Sequence, residues 1–138
     1  MQVLTIEEAT RLHGHLGPWL VLGYRVGLRA LEVLGAKYSE LDCTAYLPLK
    51  TPYSCALDGI QAATGCTMGK LNLKVIESRE NDIQFVFKRK DDTKKVSFKL
   101  KEDVPALLRE LIVDLGIEEA AKKVHQMDFH DLVVESHD

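Results

Sequence analysis

Apolar residues along the 138-residue chain follow two different periods. Leu20, Val21, Tyr24, Leu28, Leu31 and Leu34 recur at helical spacing. Ile83, Phe85 and Phe87, and again Val96, Phe98 and Leu100, alternate with polar neighbours as half-buried strands do. Punctuation residues divide these patterns into elements. Thr5-Ile6-Glu7-Glu8 has the form of a capping box, which starts a short helix near Ile6 and ends it near Gly14. Pro18 suits the first position of a second helix, and Gly35 suits the residue just past its end. Residues 42–49 read as a strand, with Pro48 at its edge or its end. Ser54 is a suitable N-cap for a third helix, Cys55 to Thr64, stopped by Gly65. Strand-like runs follow at 71–78, 82–89 and 94–100, the last two joined by the turn Lys90-Asp91-Asp92-Thr93. Asp103 caps a helix that carries Pro105 in its first turn and ends at Gly116, and Ile117 to Gln126 forms a last helix. The tail, Met127 to Asp138, fits neither period. No repeat, low-complexity stretch or linker interrupts the series. The expectation is one α+β domain over residues 1–138 with a mostly antiparallel sheet.

Gly23 and Gly27 lie four residues apart on one face of the second helix. A small-residue face lets another backbone come close. Packing within the chain and contact with a symmetry mate both account for it.

Composition narrows the function classes. Hydrophobic content of 46% and charged content of 28% are those of a globular protein with a real core. A net charge of −3 gives no nucleic-acid footprint, and the basic stretch at 88–101 is offset by Asp91 and Asp92. The longest apolar run, Trp19 to Leu22, is far too short to span a bilayer. Glu7 and Glu8 precede any apolar run, so no signal peptide is expected. Three cysteines, an odd number, make a disulfide framework unexpected and a reducing cytoplasm the natural setting. No Cys-x-x-Cys is present, which excludes a zinc ribbon within these residues.

Two segments carry candidate chemistry. The first is His13-Gly14-His15-Leu16-Gly17-Pro18. Residues two apart on a helix point in nearly opposite directions, so His13 and His15 can share a metal only where the backbone turns or extends. Gly14 and the break before Pro18 permit that; a pair of capping or core histidines has the same spacing. The second is Tyr53 to Leu73. Cys55 sits at a helix start, where the dipole favours the thiolate that binds zinc or acts as a nucleophile. A buried inert cysteine is the alternative. Asp58 lies one turn on, as a further ligand or as an acceptor that orients a histidine, and Gln61 continues that face. Cys66 is eleven positions beyond Cys55, roughly 16 Å along a helix. The two thiols therefore do not share one metal in an unbroken helix. Cys43, in a strand, reads as core. Gly65-Cys66-Thr67-Met68-Gly69-Lys70 resembles a phosphate loop only by eye. Its glycines are too close, no Ser or Thr follows the lysine, and it leaves a helix instead of opening one. Lys70 and Asn72 remain candidates to line a cleft for an anion.

The two segments together resemble the family of the formylmethanofuran dehydrogenase E-subunit. The first continues with Leu22-Gly23-Tyr24-Arg25 and Gly27; the second reads Cys55-Ala56-Leu57-Asp58-Gly59-Ile60-Gln61, then Thr64 to Leu73. The match runs through residues 8 to 100. It implies an α+β core forming an intertwined homodimer, here as a core-only member without the C-terminal zinc ribbon of some relatives. It also implies a divalent metal, zinc first, at His13, His15 and Cys55. Relatives usually carry a cysteine where this chain has Gly17, which removes one ligand or nucleophile. Nothing in the residues binds a pterin, and an iron–sulfur cluster needs four cysteines.

The expected function is a metal-binding protein: a sensor, a carrier or an accessory partner of a larger enzyme. One rival is a metal-dependent enzyme acting on a small anionic substrate in a cleft lined by Asp58, Lys70 and Tyr53, with Gln61 and Cys66 nearby. Another is an interaction module with a vestigial site.

Overall fold

The computed structural model describes residues 2–91 and 93–137. Asp92, part of the expected hairpin turn, lies outside the described residues, as do Met1 and Asp138. The helices are α1 (Ile6–His13), α2 (Pro18–Leu34), α3 (Cys55–Thr64), α4 (Val104–Leu115), α5 (Ile117–Gln126) and α6 (Phe129–Leu132). The strands are β1 (Leu41–Leu47), β2 (Leu73–Glu77), β3 (Gln84–Arg89), β4 (Lys95–Leu100) and β5 (Val133–His137). They form one sheet in the order β2-β1-β3-β4-β5. Only β1 and β2 run parallel; every other pair is antiparallel. The exception follows from connectivity: α3 joins β1 to β2, and a helical crossover returns the chain in the same direction. The α+β class and the mostly antiparallel sheet expected from the periodicity are what the chain adopts.

Alternation in the strands becomes a one-sided core. Leu41, Cys43, Ala45 and Leu47 of β1 are buried, and Phe85, Phe87, Val96, Phe98 and Leu100 join them from β3 and β4. The register sets Phe85 beside Ala45 and Phe98, and Phe87 beside Cys43 and Val96. Each fully buried phenylalanine is worth about 1.5–3 kcal/mol in removed apolar surface. α2 lies over this face and is buried along most of its length.

The cap predictions divide. Thr5 and Glu8 form the reciprocal capping box, with bonds of 3.1 and 2.9 Å. Ser54 and Asp103 hold the N-cap positions of α3 and α4 but make no capping bond. Pro48 marks the end of β1 and not an edge, because β1 is flanked on both sides. β2 starts two residues later than expected: Leu71 takes a positive φ of 61°, turning the chain before the ladder begins.

Gly23 and Gly27 face α3. A Cβ on Gly23 would stand 2.0 Å from the Ala56 carbonyl oxygen, and one on Gly27 would stand 2.7 Å from Ala63 Cβ. From the other side, a Cβ on Gly59 would meet the Leu20 carbonyl oxygen at 2.2 Å. The glycine face is thus taken up by helix packing within the chain, and the homodimer expectation loses the support it took from that face. Arg25, on the same helix, donates from Nη1 to the carbonyls of Val124 (2.8 Å) and Met127 (2.7 Å), fixing the end of α5 against α2.

The tail with no sequence period forms α6 and the edge strand β5. Glu135 of β5 is buried and accepts from Arg29 of α2 at 2.8 and 3.0 Å, from His130 at 3.2 Å, and from His137. Arg29 foremost, with help from the two imidazoles, holds its carboxyl down at about 2. Among the described residues, no helix is long and apolar enough to cross a membrane.

Candidate functional site

His13 is the last residue of α1. Gly14 follows with φ 107°, a conformation that suits glycine, and turns the chain there. After that reversal His15 lies beside His13, with ring centroids 4.7 Å apart and planes tilted by 45°. The turn needed for the two histidines to act together is therefore present.

α3 supplies the other half. Asp58, one turn into α3, places Oδ2 2.6 Å from His13 Nδ1. A carboxylate only accepts, so Nδ1–H donates. Gln61 Nε2 donates to the second carboxylate oxygen at 3.0 Å, and Gln61 Oε1 accepts from the Met68 backbone N–H at 3.2 Å. A line of hydrogen bonds thus runs from the loop after α3 through Gln61 and Asp58 to His13. It fixes the ring, and in the neutral imidazole it leaves a lone pair on Nε2. That Nε2 atom is buried and has no hydrogen-bond partner. Buried polar atoms are paired in the great majority of cases, so an orphan of this kind calls for a ligand or a cost.

Cys55 opens α3 and is partly buried against the main core. The expectation of a dipole-favoured thiolate does not hold in the metal-free chain. Burial pushes the thiol pKa up, and the Asp58 charge adds to that, against a smaller opposing effect from its own backbone N–H. Desolvation and a neighbouring carboxylate together outweigh the helix end.

The polar contacts of the remaining candidates involve neither His13 nor Asp58. Cys66 is buried, and its Sγ donates to the Leu41 carbonyl at 3.2 Å. Lys70 Nζ donates to Ser39 Oγ at 2.7 Å and lies over the Tyr38 ring. Asn72 holds the loop by accepting from Thr67 N–H at 2.7 Å. Tyr53 is buried edge-on against Trp19, with its hydroxyl facing Arg109. Cys43 is buried in β1, as a core residue. Among the described residues, no three or more histidine, cysteine or acidic side chains gather closely enough to hold a metal ion.

A wall of the site escaped sequence reading altogether. α5 brings Ile117 and His125 next to His15 across a cavity of about 620 Å³. Nothing local in residues 117–126 signals this, since the approach is set by Arg25 and by packing on α2.

Comparison with known proteins agrees with the architecture. A crystal structure of an FmdE-like protein of tungsten formylmethanofuran dehydrogenase, from Syntrophus aciditrophicus, superposes with a TM-score of 0.66 at 19% identity. The match covers 100% of this chain and 77% of that one, and it speaks to the fold alone. A probable S-adenosyl-L-methionine-binding protein from Archaeoglobus fulgidus is 34% identical over 86 residues. That stretch is 61% of this chain but only 23% of the relative, most of which has no counterpart here. The model of the FmdE family, described by the molybdenum formylmethanofuran dehydrogenase operon, matches residues 12–134. With nearly its whole length matched, including both segments of the His13–Asp58 site, the chain belongs to the FmdE family.

Proposed function

We propose that the chain is a metal-binding protein of the FmdE family, with His13 as the anchoring ligand of a divalent ion, zinc first among them. One observation carries this reading: His13 Nε2 is buried and unpartnered while Nδ1 is held by Asp58 at 2.6 Å. A carboxylate that orients an imidazole through one nitrogen and frees the other is the usual support of a metal-ligating histidine. His15, with its ring against His13, and Cys55, three residues before Asp58, are the further donors. A nearby cation also reverses the electrostatics at Cys55, favouring the thiolate that burial and Asp58 otherwise oppose. Because no three such donors converge among the described residues, the full set needs side-chain rotation or a donor from a second copy. A bound ion would supply Lewis acidity beside the cavity.

A second copy is part of the proposal. The last turn of α4 and the start of α5 expose Val113 (83%), Leu115 (49%) and Ile117 (45%), an apolar patch suited to a homodimer contact. The family's operon description supports an accessory, carrier or sensor role beside a larger enzyme.

The test is metal content per chain by elemental analysis of wild type, His13→Ala and Cys55→Ala after incubation with zinc. Near-stoichiometric zinc that falls in both variants is the expected result. Metal-free wild type overturns the reading and leaves His13 as a structural histidine.

A further inference from the structure

The cavity between α1, the start of α2 and α5 is not used by the His13–Asp58 pair. We infer that it is a binding site for an uncharged aromatic alcohol, with His15 and His125 reading the hydroxyl. Its volume of about 620 Å³ lies within the range of small-molecule sites. The floor is apolar, built from Ile6, Leu16, Val21, Ile117 and Ala121. A flat hydrocarbon body fits such a floor; a hydrated ion does not.

The charges around the cavity argue against a charged ligand of either sign. Lys122 Nζ is already engaged by Glu119 at 3.1 Å and by Glu118 at 3.9 Å. An anion would face Glu7 and Glu118, and a cation would face Lys122. The Thr10 hydroxyl donates to the Ile6 carbonyl at 2.8 Å and so offers no proton. The two imidazoles are left, groups that give or take a hydrogen bond without requiring charge on the ligand.

Gly17 governs the space. A Cβ there would lie 3.4 Å from His15 Nε2 and 3.6 Å from Ile117 Cγ1, between two residues of the lining. The backbone at Gly17 is extended (φ −139°), so a larger residue enters without strain. The missing side chain at position 17 therefore keeps the cavity open on the side facing His15.

Three probes sharing a naphthalene body separate the possibilities: 2-naphthol, 2-naphthoate and 2-naphthylmethylammonium. They are titrated by fluorescence into EDTA-treated protein, so the outcome is independent of whether the metal reading stands. The expected result is saturable binding of 2-naphthol, about tenfold tighter than either ion. Gly17→Val weakens it by about tenfold at an unchanged thermal midpoint. If Gly17→Val does not fold, Ile117→Trp at the half-exposed rim takes its place, with the same loss expected. Equal or tighter binding of either ion, no saturable binding, or a folded blocking variant that binds as wild type does would overturn the inference.

Discussion

At the residue scale, the chemistry turns on what surrounds each group. Asp58 does two things at once: it orients His13, and it raises the Cys55 pKa. Removing its charge should therefore free the thiol. Asp58→Asn is expected to raise the rate of Cys55 alkylation by iodoacetamide a few-fold at pH 7.5, against a Cys43/Cys66 background kept low by burial. Mass-spectrometric counting of modified Cys55 over time checks it, and an unchanged or slower rate would show that burial alone sets the reactivity. The sequence located Cys55 at a helix start and Asp58 on the same face. It could not say that desolvation outweighs the dipole, because desolvation depends on the core that Cys55 touches.

At the element scale, α2 and α3 pack backbone to backbone. Gly59→Ala would drive a methyl group into the Leu20 carbonyl, which stands at 2.2 Å, so the helices must separate. The expected cost is about 3 kcal/mol or more, at the upper end for overpacking, read from urea unfolding. A loss below about 1 kcal/mol would mean that the contact yields easily. The edge strand β5 is held differently, by Glu135 on Arg29. Its carboxyl is lowered from 4.5 to about 2 in the folded chain. Stability from this group is present above the unfolded value and is lost as pH falls from about 4.5 through 2. Glu135→Gln should cost about 2 kcal/mol at pH 7 and less at pH 2.5, measured as denaturant midpoints at the two pH values. An equal loss at both would exclude the ion pair as the cause. Neither arrangement announces itself as a pattern. The glycines were visible as a face, but which surface they meet, a neighbouring helix or a second chain, is a tertiary fact. Glu135 lies in a tail without period.

At the scale of the whole molecule, the exposed Val113, Leu115 and Ile117 supply the prediction. Val113→Asp should turn a dimer into a monomer in sedimentation equilibrium, with little change in unfolding of the isolated chain, since Val113 is 83% exposed. A wild-type monomer at high micromolar concentration would remove the homodimer. The element series, the α+β class and the pairing of the two chemical segments were legible in the sequence, because periodicity, caps and glycine stops are local signals written into consecutive residues. So was the family, through the segments around His13 and Cys55. The parallel β1–β2 pair, the orphaned His13 Nε2, the raised Cys55 thiol and the cavity under α5 were decided only by tertiary structure. Each depends on groups far apart in the chain: His13 and Asp58 are 45 positions apart, and Arg25 and Val124 are 99. Local sequence limits what each segment can become; burial and long-range approach decide which atoms meet, and it is those meetings that set the chemistry of the site.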